Sequence, residues 1–281
     1  IKNKKRGNVM YHTALFFYID GTLISERTGK IPESAIKAIE KAGEHGCLTF
    51  INTGRTYFFV PIALKQISFD GFLCGCGTHI ISRLLDDTSK ELHTLYHRPI
   101  PKKESLEIIE KLQECNIDGV LEGECFNYFS HENSRFEQIN QIRDSFSGNV
   151  TGSAHFFDDP DICADKFVIW TDEKSDITTF LEFAKKKHYD IIDRRFGFYE
   201  AVPEGHSKAT AIEYILKQFN LTKEHAYVFG DSANDLPMFT CVKNTIAMGE
   251  YDPVLTPYIS YITKTVEDDG IFYALQHLGF I

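Results

Sequence analysis

The chain has 281 residues, of which 40 are acidic and 30 are basic, so its formal net charge is −10 at neutral pH. This length accommodates one large domain or two moderate ones, each with its own core. The acidic balance, without a long basic run, argues against a nucleic-acid partner, because phosphate backbones attract basic surfaces. No apolar run approaches the roughly 20 residues that span a bilayer, which argues against a membrane-spanning segment.

The N-terminal segment and the cysteines favour a cytoplasmic protein. Residues 1–6 are largely basic but lead into no apolar stretch, so we interpret them as an extension before Met10 and not as a secretory signal. The seven cysteines are odd in number and scattered, and the one close pair, Cys74 and Cys76, lacks the spacing of a zinc or redox motif. We therefore expect reduced thiols and a cytoplasmic location.

The first predicted element is a strand that ends in Asp20, Gly21 and Thr22. The apolar and aromatic residues before Asp20 are typical of a buried parallel strand that runs into a tight turn. Ligands of open parallel sheets bind beyond the carboxyl ends of the strands, so Asp20 is a candidate functional carboxylate. The alternative is a solvated aspartate before a glycine turn, which is a common arrangement.

Strands and helices then alternate. A helix is predicted to open at Pro32 and to bury the apolar residues between 35 and 42. Buried strands are predicted at residues 47–51, before Thr53-Gly54-Arg55, and at 71–74, before Gly75-Cys76-Gly77. This spacing predicts βαβ units and a parallel sheet.

The pattern changes near Arg83. Between residues 83 and 195, amphipathic helices at 105–112 and 177–184 are mixed with strands at 126–129 and 166–170 that are typical of a sheet with one covered face. We predict an inserted α+β domain over residues 83–195. The first pattern resumes at Gly197, with a helix at 207–219, strands at 226–229 and near 245–248 and 259–262, and a closing helix from Gly270. The predicted fold class is α/β, with a Rossmann-like parallel-sheet core formed by residues 1–82 and 196–281.

Four polar segments fall at strand or helix ends on one predicted edge of the core sheet. Carboxylates at strand ends suit Mg²⁺, whereas a threonine hydroxyl and a lysine near a helix start suit a phosphoryl group. Each segment alone has a simpler interpretation, such as a capping turn or a solvated helix lysine. Together they predict a site for phosphoryl transfer. The segments are Asp20-Gly21-Thr22, Thr53-Gly54-Arg55, Lys208 and the run G-D-S-A-N-D over residues 230–235.

These segments resemble the four motifs of the haloacid dehalogenase (HAD) superfamily, and specifically its Cof-type phosphatases, which carry a large cap between the second and third motifs. The most specific run is V-F-G-D-S-A-N-D-L-P-M over residues 228–238, continued by Ala247-Met248-Gly249 and by E-D-D-G over 267–270. The resemblance covers residues 12–281. It implies a HAD core with an inserted cap and Mg²⁺-dependent hydrolysis of a small phosphorylated metabolite, such as a sugar phosphate, through an aspartyl-phosphate.

The resemblance also implies a role for each matching residue, and in many relatives Asn-Gly stands where this chain has Cys76-Gly77. Neither the predicted cap nor any other segment indicates the physiological substrate or an oligomeric state. The implied roles are general acid/base for Asp20, which also offers its backbone carbonyl to Mg²⁺; phosphate binding for Thr53 and Gly54; a bridge between nucleophile and phosphate for Lys208; metal ligation for Asp231; and support of metal and phosphate by Asn234 and Asp235.

One position departs from the family pattern. The first motif of the family is Asp-x-Asp-Gly-Thr, whose first aspartate is the nucleophile, and this chain has Tyr18 in that slot. A tyrosine is a neutral phenol with a pKa of about 10, so it supplies neither the attacking carboxylate nor an anionic metal ligand. Three interpretations are open: a catalytically silent protein that still binds Mg²⁺ or phosphorylated ligands, a substitution or sequence error in an active phosphatase, or a tyrosine that itself accepts the phosphoryl group.

Overall fold

The computed structural model describes residues 5–6, 9–84, 91–147 and 154–281. The chain divides into two compact units, the first formed by Ile1–Gly54, Val60–Tyr96 and Ser207–Ile281 and the second by Arg55–Phe59 and His97–His206. Part of the predicted N-terminal extension lies outside the described residues. Among the described helices, none combines the length and the apolar character that crossing a membrane requires.

Strands and helices alternate along most of the chain. The strands are β1 Lys5–Arg6, β2 Val9–Met10, β3 Thr13–Phe17, β4 Cys47–Asn52, β5 Gly71–Cys74, β6 His79–Ser82, β7 His93–His97, β8 Asp118–Glu122, β9 Asn127–Phe129, β10 Ala154–Phe156, β11 Lys166–Trp170, β12 Tyr189–Asp193, β13 Phe198–Pro203, β14 Ala226–Gly230, β15 Asn244–Ala247 and β16 Tyr261–Ile262. The helices are α1 Glu33–Glu44, α2 Ile62–Lys65, α3 Lys102–Glu114, α4 Glu137–Ser147, α5 Ile177–Lys186, α6 Lys208–Phe219, α7 Leu236–Cys241 and α8 Gly270–His277.

The first unit is built on an eight-stranded sheet in the order β16-β15-β14-β3-β4-β5-β6-β7. The strands from β16 to β5 run parallel, and β6 is antiparallel to β5. Every residue of β3, β4 and β5 is buried, as expected for strands of a parallel sheet that is covered on both faces. The prediction of an α/β fold with a parallel core sheet is confirmed.

Aromatic pairs fix the register of the three central strands. Phe17 of β3 stacks on Phe229 of β14, with ring centroids 4.6 Å apart, and Phe16 stacks on Phe50 of β4 at 5.7 Å. Consecutive residues of a strand point to opposite faces, so these two pairs bind β3 to one neighbour on each side of the sheet. A slip of one residue in the pairing would move these aromatic side chains to the opposite face of the sheet. The register is therefore fixed, and β14, β3 and β4 end at the same edge of the sheet.

The second unit is a six-stranded sheet in the order β10-β9-β8-β11-β13-β12, antiparallel apart from the β10–β9 pair. On one face, Phe167 and Ile169 belong to a buried cluster that includes residues of α3 and α5. On the other face, Val168 and Trp170 belong to a cluster that includes Ile139 of α4. This unit therefore has an α+β core of its own.

Strand β13 belongs to the second unit, although the sequence pattern assigned residues 196–206 to the core. Ala201 lies opposite Phe167 of β11 and Ile191 of β12, so β13 occupies the place between these two strands. The second unit ends before Ser207, the cap residue of α6, and not at residue 195, and its main segment begins at His97 and not at residue 83. The physical reason is long-range pairing, because the apolar run of β13 completes the sheet of the second unit.

A buried ionic network crosses this sheet. The Lys166 ammonium lies 3.3 Å from a carboxylate oxygen of Glu122 and also donates to Glu200, which accepts a second bond from Arg194 Nε at 3.0 Å. Burial favours the neutral form of Glu200, but the charges of Lys166 and Arg194 outweigh it and lower its pKa to about 2. Burial raises the pKa of Glu122, and the charge of Lys166 offsets only part of this effect.

The substitution Glu200→Gln tests the network. Since the folded-state pKa of Glu200 lies below its ordinary value of 4.5, the ionised group stabilises the fold above pH 4.5, and this contribution is lost as the pH falls toward 2. The variant leaves the buried Lys166 ammonium and the half-buried Arg194 guanidinium without their shared carboxylate, so we expect its unfolding free energy at pH 7 to fall by about 3 kcal/mol. Urea unfolding between pH 7 and pH 3 should show a weaker pH dependence for the variant; parallel curves would contradict the assignment.

Candidate functional site

The carboxyl ends of three adjacent strands gather the candidate residues. Phe17 lies opposite Ile51 of β4 and Phe229 of β14, so the residues that follow these strands emerge at one edge of the sheet. The backbone N–H of Tyr18 donates to the Phe229 carbonyl at 3.0 Å and extends the β3–β14 ladder by one bond. Asp231 follows the end of β14 directly, and Tyr18 and Asp231 therefore start from neighbouring strand ends.

Lys208 and Asp235 form a buried ion pair at this edge. Lys208 is the first residue of α6, and Ser207 caps the helix by accepting a hydrogen bond from the Thr210 N–H. The Lys208 ammonium donates to Asp235 Oδ1 at 2.8 Å, and the two side chains are 3% and 0% exposed. Burial alone would lower the pKa of Lys208, but the charge of Asp235 raises it, so the ammonium remains protonated.

The end of β4 is tied to the same helix start. Asn52 is fully buried and donates from its side-chain amide to the Lys208 carbonyl at 2.9 Å. The next residue, Thr53, donates its N–H to the Leu73 carbonyl at 2.9 Å and accepts at its own carbonyl from the Cys76 N–H at 3.1 Å. These bonds hold the backbone that carries Thr53 against both α6 and the turn after β5.

Asp235 also shapes the loop that follows β14. Its second oxygen, Oδ2, accepts hydrogen bonds from the backbone N–H groups of Asp231 at 3.0 Å and Ser232 at 3.2 Å. A Cβ at Gly230 would lie 2.5 Å from that oxygen, so only glycine allows the loop to close on the carboxylate. Both oxygens of Asp235 are therefore engaged by protein donors, one by Lys208 and the other by the loop.

The carboxylate of Asp231 is the group best suited to a cation. Thr22 Oγ1 donates to Asp231 Oδ1 at 2.6 Å, and Gly21, at φ +73°, lets the other oxygen approach where a Cβ would lie 2.3 Å away. Burial raises the pKa of Asp231 to about 7, and the negative charges of Asp235 and Glu26 add to this effect. Within the described part of the chain Asp231 forms no ion pair. A hard divalent cation would relieve this electrostatic cost, so the residues fit Mg²⁺.

The ring of Tyr18 occupies the centre of this group. It is 9% exposed, and the Lys208 ammonium lies 3.7 Å from its centroid, within the range of a cation–π interaction. Burial raises the pKa of the phenol above its ordinary value of 10, although Lys208 and a hydrogen bond from the Asn234 side chain oppose the shift. The negative charges of Asp235 and Asp20 act in the same direction as burial. Tyr18 is therefore a neutral phenol at physiological pH.

The structure brings most of the sequence-predicted residues together. Direct contact or short-range charge links Tyr18 with Lys208, Asn234, Asp235 and Asp20, and Asp231 is linked through the loop that Asp235 holds. Thr53 and Gly54 are joined to the group through the backbone at the end of β4.

Sequence reasoning gave no role to Asn52 and Thr22. For Asn52 the available signal was its position at the end of a largely apolar strand, directly before Thr53-Gly54. Thr22 belongs to the motif Asp20-Gly21-Thr22, but its contact with Asp231 joins positions that are 209 residues apart, and no local pattern reports such a pair.

Comparison with known proteins identifies the family. A sequence profile of the haloacid dehalogenase-like hydrolases matches residues 15–275, which is nearly the whole chain. The chain belongs to this family. The predicted resemblance to the HAD superfamily is confirmed, and by family the chain is a phosphoric monoester hydrolase.

Individual HAD relatives are similar over the same span. The chain is 28% identical over 268 residues to a predicted bifunctional phosphatase and peptidyl-prolyl cis-trans isomerase of Streptococcus pyogenes. The match covers 95% of the chain but only 54% of that protein. It is 25% identical over 270 residues to YkrA of Bacillus subtilis, a predicted phosphatase, with 95% of the chain and 98% of that protein covered. A solved HAD subclass IIB sugar phosphatase superposes with a TM-score of 0.76 at 24% identity, covering 96% of the chain and 100% of that structure, and thus shares the fold.

The substitution Asp231→Asn tests the proposed metal position in this HAD chain. Because the ionised carboxylate is destabilised by burial at neutral pH, we expect the amide to raise the melting temperature of the metal-free protein. Mg²⁺ should raise the melting temperature of the wild-type protein through preferential binding to the folded state, but not that of the variant. Differential scanning fluorimetry at increasing Mg²⁺ concentrations measures both effects.

The matched control is Glu40→Gln, which removes one negative charge from an exposed position of α1 in the same unit. This variant should keep the full Mg²⁺-dependent shift. An equal shift in Asp231→Asn and in the wild-type protein would show that the cation binds elsewhere.

Proposed function

We propose that the chain is a Mg²⁺-dependent phosphatase of small phosphorylated metabolites, with sugar phosphates as the substrate class. The observation that carries the proposal is the convergence of Lys208, Asp235, Asn234 and Asp20 on the position of Tyr18, beside the buried carboxylate of Asp231. The chain belongs to the haloacid dehalogenase-like hydrolases and is similar in fold to a subclass IIB sugar phosphatase, and both findings support the substrate class.

The chain's own residues would bind and orient the phosphoryl group. Lys208 carries a fixed positive charge next to the Tyr18 position, and Asp235 keeps that charge in place. Thr53 and Gly54 would offer hydroxyl and N–H donors from the adjacent strand end, where donors stabilise developing negative charge on phosphoryl oxygens. Asp20, whose charge acts on the same position, would transfer the proton to the leaving alkoxide.

Asp231 and Asp20 would hold Mg²⁺, and Asp235 would orient Asp231 through its backbone N–H. When bound, the cation would neutralise charge on the phosphoryl oxygens. Since Asp235 already uses both oxygens on protein donors, we assign it a positioning role and leave direct ligation to the other two carboxylates.

Tyr18 limits the rate of this reaction. A neutral phenol with a raised pKa is a poor nucleophile, so the phosphorus would be attacked by water, with rupture of the ester P–O bond and no covalent intermediate. Positioning and electrostatic stabilisation then remain as the sources of catalysis, as they do when a nucleophile is removed from other hydrolases. We therefore propose that the chain is a slow phosphatase whose phosphate-binding residues are intact.

A second candidate is a protein that binds phosphorylated ligands and Mg²⁺ without turnover. The position of the Tyr18 ring favours it, because the ring lies 3.7 Å from the ammonium that would otherwise face a carboxylate and a phosphoryl group. In this case the site would serve recognition and not hydrolysis.

The substitution Tyr18→Asp distinguishes these functions. We expect the aspartate to supply the missing nucleophile and to raise kcat by at least about 10³-fold over the wild-type chain. The measurement is phosphate release from p-nitrophenyl phosphate and a panel of sugar phosphates, with and without Mg²⁺.

Tyr18→Asn is the matched control, since asparagine has the size of aspartate but cannot form the acyl-phosphate. A rise in Tyr18→Asp alone, above a measurable Mg²⁺-dependent rate in the wild-type chain, supports the slow phosphatase. Wild-type binding of inorganic phosphate without wild-type turnover supports the silent binding protein, whether or not Tyr18→Asp is active. An equal rise in both variants would mean that the ring acts by obstruction alone.

A further inference from the structure

Two exposed cysteines lie in neighbouring loops of the second unit. Cys125 occupies the tight turn between β8 and β9, in which the Gly123 N–H donates to the Phe126 carbonyl at 2.9 Å. Cys163 lies in the segment before β11. Both residues are exposed and carry free thiols, so both are open to reagents in solution.

The two loops are in direct contact. A Cβ at Gly123 would lie 2.2 Å from the Cys163 carbonyl oxygen, so the backbone of the turn packs against the backbone at Cys163. The Cys163 N–H donates to Tyr128 Oη at 3.2 Å, which ties the same backbone to β9. Cys125 is two residues from Gly123, and two residues of chain span at most about 7 Å. The backbones of Cys125 and Cys163 are therefore close to the separation that a disulfide joins, about 4.4–6.8 Å between Cα atoms.

Side-chain contacts also keep the turn beside the segment that carries Cys163. The centroid of the Phe126 ring lies 4.2 Å from that of the His155 ring. His155 in turn bonds through Nδ1 to the carboxylate of Asp159, four residues before Cys163. The turn is therefore fixed on this segment by packing as well as by the backbone.

Acidic neighbours act on both sulfurs. Partial burial raises the pKa of the Cys125 thiol, and the charges of Glu124 and Asp165 raise it further. Partial burial also raises the pKa of the Cys163 thiol, and the charge of Asp165 again adds to the effect. The charge of Cys125 contributes to the raised pKa of Cys163, so each sulfur lies within range of the other's charge. Because these surroundings destabilise both thiolates, a disulfide between the two residues would resist reduction.

We propose that Cys125 and Cys163 form a modification site, a redox-active pair that closes to a disulfide by exchange with a small-molecule disulfide such as oxidised glutathione. In the first step one thiolate attacks a sulfur of the reagent, whose S–S bond breaks and releases one thiol. In the second step the other thiolate attacks the protein sulfur of the mixed disulfide and releases the second thiol. The pair loses two electrons and two protons, and the reagent gains them. The product fastens the turn after β8 to the segment before β11, and its formation does not depend on the proposed phosphatase activity.

Oxidation of the reduced full chain at low protein concentration tests the pair. The chain is incubated with oxidised glutathione at about pH 8, where more of each thiol is ionised than at neutral pH. Its remaining thiols are then alkylated, and cross-linked peptides are identified by mass spectrometry without reduction. We expect a cross-link between Cys125 and Cys163 and the loss of two titratable thiols per chain. Because the disulfide closes a loop in the unfolded chain, the oxidised protein should also melt at a higher temperature than the reduced protein.

The test variants are Cys125→Ser and Cys163→Ser, which both replace an exposed residue by one of similar size. With its partner removed, the remaining thiol should stop at the mixed disulfide, and the glutathione adduct should accumulate at least about tenfold over the wild-type level. The matched control is Cys241→Ser, because Cys241 is a partly exposed cysteine of the first unit. This variant should form the cross-link as the wild-type protein does.

Three results would overturn the proposal. The first is a wild-type chain that accumulates glutathione adducts at Cys125 or Cys163 without a cross-link between them. The second is a cross-link from either residue to another cysteine in place of its proposed partner. The third is a chain in which both residues stay reduced.

Discussion

The buried ion pair between Lys208 and Asp235 is the interaction on which the candidate site depends. It joins the first residue of α6 to the loop after β14, and Asp235 holds that loop closed through the N–H groups of Asp231 and Ser232. Burying two charges is costly, and such pairs are retained more readily for the geometry they specify than for net stability. Here the geometry is an ammonium held at a fixed position near the ends of three parallel strands. Without Lys208, Asp235 would lose its counter-ion. Without Asp235, the loop that carries Asp231 would lose the hydrogen bonds that shape it.

Most of this arrangement could be predicted from short stretches of sequence. Apolar strands followed at once by polar residues indicate strand ends at a sheet edge. The run over residues 228–238, with its continuations at 247–249 and 267–270, carries the resemblance to the HAD family. The close packing behind that run explains its glycine, because a Cβ at Gly230 would collide with Asp235. Roles that depend on contacts between distant segments were not visible. Thr22 and Asn52 act on partners 209 and 156 residues away, and only the folded sheet brings them together.

The second unit shows the same limit on a larger scale. The helices α3 and α5 and the strands β9 and β11 were predicted from local periodicity, whereas α4, β8, β10 and β12 were not. The place of β13 between β11 and β12 depends on pairing across a long stretch of chain. Glu200 illustrates why, since a glutamate within an apolar strand gives no indication of its partners. Its burial becomes favourable only once Lys166 and Arg194 are placed beside it.

In the proposed function, Tyr18 separates the binding of a phosphorylated ligand from its hydrolysis. Lys208, Asn234, Asp235 and Asp20 all act on the Tyr18 side chain, whereas its phenol is neutral and cannot replace a carboxylate. The proposed function therefore requires that the strand ends still form one binding site for a cation and a phosphate. The most direct measurement is a crystal structure of the wild-type chain with Mg²⁺ and inorganic phosphate. We expect the cation on the Asp231 carboxylate and a phosphate oxygen within hydrogen-bond distance of Lys208 Nζ; phosphate bound elsewhere, with Lys208 unchanged over the ring of Tyr18, would contradict the proposed site.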